Sequence, residues 1–94
     1  GCFVTGFARE LRIVNEKGLH ARASAKFVEV VEGHDAEAAV SKDGMTVSGD
    51  SIMGLLMLAA SRGTTIHVET KGAEAEKLAD ALETLVSGRF GEEF

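Results

Sequence analysis

The sequence predicts an α+β domain, an open-faced β-sandwich whose four-stranded, mainly antiparallel sheet carries three helices on one face. Three observations predict it. The apolar period switches between two residues and about 3.6 along the chain, giving the order β-α-β-β-α-β-α. Asp43-Gly44 separates two short alternating segments, and that dipeptide suits the positive φ of a tight antiparallel hairpin. The chain's 94 residues suffice for one modest core and not for two, so residues 1–94 read as a single domain with its core over about 7–87.

The elements follow in order. From Phe7 to Val14 the residues alternate, with Phe7, Arg9, Leu11 and Ile13 on one face and Ala8, Glu10 and Arg12 on the other. Asn15-Glu16-Lys17-Gly18 breaks this strand. From His20 the pattern is helical, because Ala23, Phe27, Val30 and Val31 form one apolar stripe while Arg22, Lys26 and Glu29 occupy another face. Gly33 is the expected stop, through the left-handed conformation that ends many helices. Ala36, Ala38 and Val40 alternate with polar or small neighbours, and Met45 and Val47 do so after the turn. Ser51 is an N-cap for a helix beginning near Ile52, apolar almost all round and ended by Arg62-Gly63. Thr65 to Thr70 reads as a strand with Ile66 and Val68 inward and His67 and Glu69 outward. Gly72 to Val86 is amphipathic, with Ala75, Leu78, Ala79, Leu82 and Val86 on its apolar side. The tail from Gly88 to Phe94 is expected to fray.

Composition narrows the function. Ten basic against fifteen acidic side chains give a net charge of −5, and the chain has neither Trp nor Tyr. Nucleic-acid binding favours a basic surface and stacking aromatics, so that partner class is not expected. The longest apolar run, Ile52 to Ala60, is far below the ~20 residues of a spanning helix. The single cysteine, Cys2, fits a reducing, cytoplasmic compartment and excludes an intramolecular disulfide. Gly1 to Thr5 would match an N-myristoylation pattern had a Met been removed, but a ragged N-terminus is the plainer reading.

Gly18-Leu19-His20-Ala21-Arg22 is the stretch that could carry chemistry. It lies where a strand-exit loop becomes a helix, and the first N–H groups of a helix have no intrahelical acceptor. With the dipole they favour an anion, so the backbone of Ala21 and Arg22 could cradle a phosphate. His20 would hold a ring nitrogen over those donors, Arg22 would add a planar fork, and Gly18 would let the chain turn tightly. Neutral imidazole is a competent nucleophile near pH 7. Considered alone, a histidine at a helix start is more often a plain cap. The spacing of His34 and His67 from His20 fits no metal-ligand pattern, so neither a metal nor a cofactor is expected. Glu74, Glu76 and Glu83 read as a solvated helix face.

Gly18 to Arg22, continued by Ala25-Lys26-Phe27-Val28, resembles the active-site segment of the histidine-containing phosphocarrier (HPr) family of the bacterial phosphotransferase system. Ser51-Ile52-Met53-Gly54-Leu55 is similar to the family's regulatory-serine segment, in the expected order and on the expected helix start. The resemblance covers Phe7 to Val86. It implies that His20 accepts phosphate on Nδ1 from Enzyme I and passes it to Enzyme IIA domains, with Arg22 assisting. It also implies that Ser51 is the serine modified by HPr kinase/phosphorylase where that regulator exists, and that Ile52, Met53 and Leu56 form an exposed docking patch.

Ala23 stands where the family usually has proline, which suits a first helical turn. This departure suggests a divergent branch, nitrogen-related or regulatory, more than it weakens phosphate transfer itself. The expectation is therefore a monomeric, cytoplasmic carrier, covalently modified in a relay and not a turnover enzyme. The alternative is a regulatory paralogue that works by protein binding instead of sugar transport.

Overall fold

The computed structural model describes residues 6–93; the myristoylation pattern and Cys2 lie outside the described residues. Four strands, β1 (Phe7–Arg12), β2 (Glu37–Lys42), β3 (Met45–Ser48) and β4 (Thr65–Lys71), form one sheet in the order β1-β4-β2-β3. Every pairing in it is antiparallel. Helices α1 (Ala21–Glu32), α2 (Ile52–Leu58) and α3 (Ala75–Ser87) cover one face of this sheet. The predicted element order and fold class are those of the molecule.

Strand period decides which face is covered. Leu11 pairs with Ile66, and Val40 lies between Val68 and Val47, so one apolar row runs across the sheet. Phe27, Leu55, Leu78, Leu82 and Val86 of the helices close over it without exposure. Such burial of large side chains is the main stabilising contribution, at about 1.5–3 kcal/mol each. Asp43 and Gly44 both take positive φ, 51° and 82°, in the β2–β3 turn, as their sequence predicts.

Besides β1 ending at Arg12 instead of Val14 and β4 running to Lys71 instead of Thr70, four features of the element ends differ from the sequence reading. Gly33 ends α1 in the right-handed region (φ −78°), and its N–H still reaches the Glu29 carbonyl at 3.0 Å, so no left-handed turn is needed. Helix α2 stops at Leu58, before Arg62-Gly63, because Ala59 turns left-handed (φ 51°) and swings Ala60 into the core. Helix α3 begins at Ala75 instead of Gly72, since β4 pairing continues to Lys71 opposite Glu37.

The fourth difference is the tail, which packs instead of fraying. A 3-10 turn (Arg89–Gly91) follows α3, and Phe90 is fully buried. Arg89 and Phe90 take φ of 58° and 54°, a conformation that costs non-glycine residues free energy. Burial of the Phe90 ring offsets that cost.

Gly18 marks the closest approach between two loops. Its φ is 67°, and a Cβ there would stand 2.5 Å from the Ala60 carbonyl oxygen and 2.9 Å from Ser61 Cα. Leu19 N–H donates to that same Ala60 oxygen at 2.8 Å. Neither loop can retreat without losing this bond. Gly18→Ala should therefore lower the melting temperature by about 8 °C or more, the shift of ~2 kcal/mol in a domain of this size. An unchanged thermal melt would show that the two loops do not meet in this way.

Candidate functional site

The site is built at the N-terminus of α1. His20 is the N-cap, extended at φ −80° and ψ −177°, and Nδ1 accepts a hydrogen bond from the Arg22 N–H at 3.3 Å. Its carbonyl receives the Ser24 N–H at 2.8 Å, the first bond of the helix. The chain is fixed on both sides of the histidine. Leu19 is buried and bonded to Ala60, and fully buried Ala23 begins the apolar stripe. The imidazole is left partly exposed between them. A lone pair on Nδ1 is needed to accept the amide proton, so that nitrogen is the unprotonated one in the neutral ring.

Nε2 points the other way, to the side chain of Glu92 in the returning tail. Asn15 lies beneath both. It is fully buried, and its Nδ2 donates to the Gly18 carbonyl at 2.8 Å and to Glu92 Oε1 at 2.9 Å. Asn15 Oδ1 is buried without a partner. Lys26 Nζ holds the tail from the other side by donating to the Phe90 carbonyl at 2.6 Å. The hydrogen bond from Asn15, and then that from His20, hold the Glu92 carboxyl below its ordinary value of 4.5 against an opposing contribution from burial.

Beside the ring lies a shallow cleft of about 280 Å³ lined by Glu16, Lys17, Arg22, Glu92 and Glu93. Arg22 is solvent-exposed at its edge. A larger hollow of about 440 Å³ near Ala36, Thr46 and Lys71 includes none of these residues.

The other candidates fall elsewhere. Ser51 caps α2, its Oγ accepting from the Gly54 N–H at 3.1 Å. Ile52, Met53 and Leu56 are exposed on α2 as the resemblance implies, and Met57 extends the patch; Met53 and Met57 are 70% and 63% exposed. His34 bonds the Val30 carbonyl at 2.7 Å, and His67 sits between Glu69 and Glu10 on the open sheet face. The Glu69 hydrogen bond raises the His67 pKa above 6.5, with Glu10 adding to the effect. Among the described residues no group of three His, Cys, Asp or Glu could hold a metal ion, and no helix is long and apolar enough to cross a membrane. Glu83 is not merely solvated, since it shares Arg9 with Asp80, at 3.1 and 2.9 Å. Glu74 likewise accepts the Asp35 N–H at 2.8 Å.

Asn15 and Glu92 are the residues that sequence reasoning missed. Asn15 read as a turn breaker, and Glu92 stood in a tail expected to be loose. The available signal was Phe90, one of two aromatics in an otherwise polar tail, which has reason to return to the core.

A helix-capping imidazole on an open-faced sandwich fits a carrier of phosphoryl groups, and comparison with known proteins places the chain among such carriers. The family description "PTS HPr component phosphorylation site" matches residues 7–88. A Neisseria meningitidis protein named phosphocarrier protein HPr is 46% identical over 84 residues, covering 89% of this chain and 94% of that protein. Phosphocarrier protein NPr of Shewanella violacea is 37% identical over 89 residues, covering 95% and 98%. The crystal structure of HPr-C-His from Thermoanaerobacter tengcongensis superposes with a TM-score of 0.89 at 34% identity, covering 94% of this chain and 99% of that one. The chain belongs to the HPr family of phosphotransferase-system phosphocarriers.

The Glu92 carboxyl yields a pH prediction. Its folded pKa is depressed, so its contribution is complete above the unfolded value and is lost as pH falls through the lower folded value. A carboxyl ¹³C titration should find Glu92 titrating below 4.5, and Asn15→Ala should move it upward. A midpoint at or above 4.5 in the unaltered protein would show that the tail does not hold this contact in solution.

Proposed function

We propose that this chain accepts a phosphoryl group from phosphorylated Enzyme I on His20 Nδ1 and passes it to an Enzyme IIA domain. The observation that carries this reading is the direction of Nδ1: its lone pair lies at the free end of α1, where the Arg22 N–H points. On attack, the Nδ1–phosphorus bond forms and the donor's bond to phosphorus breaks, its electron pair leaving with the donor. The ring then carries positive charge and keeps its Nε2 proton. In the second transfer the acceptor's nucleophile takes the phosphorus, and the Nδ1–phosphorus electron pair returns to the ring.

The surroundings favour a phosphate at that point. The N–H groups of Ala21 and Arg22 and the helix dipole stabilise negative charge, and the Arg22 guanidinium can bind two phosphoryl oxygens at once. The exposed α2 surface formed by Ile52, Met53, Leu56 and Met57 suits docking of partner domains, because scattered contact with water is a poor use of four large apolar side chains on one short helix. Identities with relatives named HPr reach 46%, against 37% for the relative named NPr, which favours the general carrier over the nitrogen-related branch despite Ala23. The intact His20–Arg22 pair favours a carrier over a paralogue acting only by binding.

The test is incubation with Enzyme I and phosphoenolpyruvate, followed by intact mass and acid treatment. The unaltered chain should gain one acid-labile phosphate. His20→Ala should gain none and still fold, since loss of a cap costs only ~1 kcal/mol. Acid-labile phosphate on that variant would transfer the role to His34 or His67.

Ser51 is the proposed regulatory site. A phosphate on its Oγ would meet free N–H groups at the start of α2, so the fold should tolerate it. The same charge beside Ile52 and Met53 would have to be desolvated when a partner docks, at a cost in affinity. Ser51→Asp should keep its melting temperature within a few degrees and slow phosphorylation of His20 by Enzyme I. An unchanged initial rate would remove the support for this patch as the docking surface.

A further inference from the structure

We infer that Glu92 is a positioning residue for His20: its carboxylate holds the Nε2 proton and thereby keeps Nδ1 free as the nucleophile. The inference rests on the carrier reading above. A carboxylate has no proton to give at neutral pH, so Nε2 must be the donor in the contact with Glu92. The Arg22 N–H demands the complementary arrangement at the other ring nitrogen. The two contacts therefore specify one tautomer from opposite sides of the ring.

Glu92 is held for this task by three independent attachments. Phe90 is buried two residues before it, Lys26 ties down the Phe90 carbonyl, and Asn15 donates to the second carboxylate oxygen. That last bond makes the residue type matter. Glu92 serves two donors, Asn15 Nδ2 at Oε1 and His20 Nε2 at Oε2. Glutamine has the same shape but only one acceptor oxygen. If its oxygen faces Asn15, its NH₂ faces Nε2, a geometry that favours the wrong tautomer and opposes the Arg22 N–H. The carboxylate has a second effect after transfer. Phosphorylation on Nδ1 leaves positive charge on the ring with a proton on Nε2, and the Glu92 charge lies against that proton.

The experiment compares the unaltered chain with Glu92→Gln and Phe90→Ala. The tautomer is read from long-range ¹H–¹⁵N spectra of the imidazole, and the initial rate from phosphorylation by Enzyme I with phosphoenolpyruvate. The unaltered chain should show a pure Nε2–H tautomer in its neutral form. Glu92→Gln should show a measurable Nδ1–H population and a rate lower by about tenfold, with its fold retained and its melting temperature lowered by only a few degrees. Phe90→Ala, which releases the carboxylate without altering it, should show the same mixed tautomer. An unaltered spectrum and rate in Glu92→Gln would overturn the inference. So would a lower rate with the pure tautomer retained, because the tail would then act only as a structural support. Absence of phosphate on the unaltered chain would instead overturn the carrier reading, and the spectrum, which needs no partner, would still report whether Glu92 sets the tautomer.

Discussion

The geometry of the site depends on one junction, the docking of Gly18-Leu19 against Ala60. The Leu19 N–H reaches the Ala60 carbonyl at 2.8 Å, and the space for a Gly18 side chain is already filled by that same carbonyl. Through this bond the loop leaving β1 is fastened to the loop leaving α2. His20 follows immediately, so its backbone inherits the position of a rigid corner. A nucleophile at a helix start is useful only if the helix end does not fray, and here the fastening precedes the cap instead of relying on it. The bond itself is an ordinary one, worth about 1 kcal/mol. Its consequence is the placement of a ring nitrogen to within a hydrogen bond's tolerance.

The distribution of apolar surface follows from the same economy. Helix α2 is too short to be stable by itself and too apolar to be solvated without consequence. It resolves this by burying Leu55 and Leu58 while leaving Ile52, Met53, Leu56 and Met57 outside. In a domain of this size the core takes only part of such a helix. The rest stays exposed as the surface proposed for docking, and methionine, with its flexible thioether, would suit that use.

Late in the sequence the chain returns to the candidate site. Phe90 accepts an unfavourable backbone so that its ring can enter the core, and this turns Glu92 toward Asn15 and His20. The arrangement juxtaposes opposite electrostatic preferences across one imidazole. The α1 N-terminus favours negative charge at Nδ1, while the carboxylate favours a proton at Nε2. A ring placed between the two is polarised in the sense that the proposed phosphoryl transfer would require.

By itself the sequence determined the order of elements, the covered face of the sheet and the caps of the first two helices. Those properties are local: alternation in Leu11 and Ile13, the 3.6-residue stripe through Ala23 and Phe27, the Asp43-Gly44 turn, the caps at His20 and Ser51. Each is written within a few neighbouring positions, so each is legible without the fold. The stopping points of the helices were less so, because Ala59 is driven left-handed by the burial of Ala60, which no local signal announces. The Glu92 partner of His20, and the Asn15 that holds Glu92, were decided only in three dimensions. Asn15 and Glu92 stand 77 positions apart, and each has an unremarkable neighbourhood in the sequence. What joins them is the burial of Phe90, and whether an aromatic in a polar tail returns to the core depends on a vacancy that only the packed sheet and helices create.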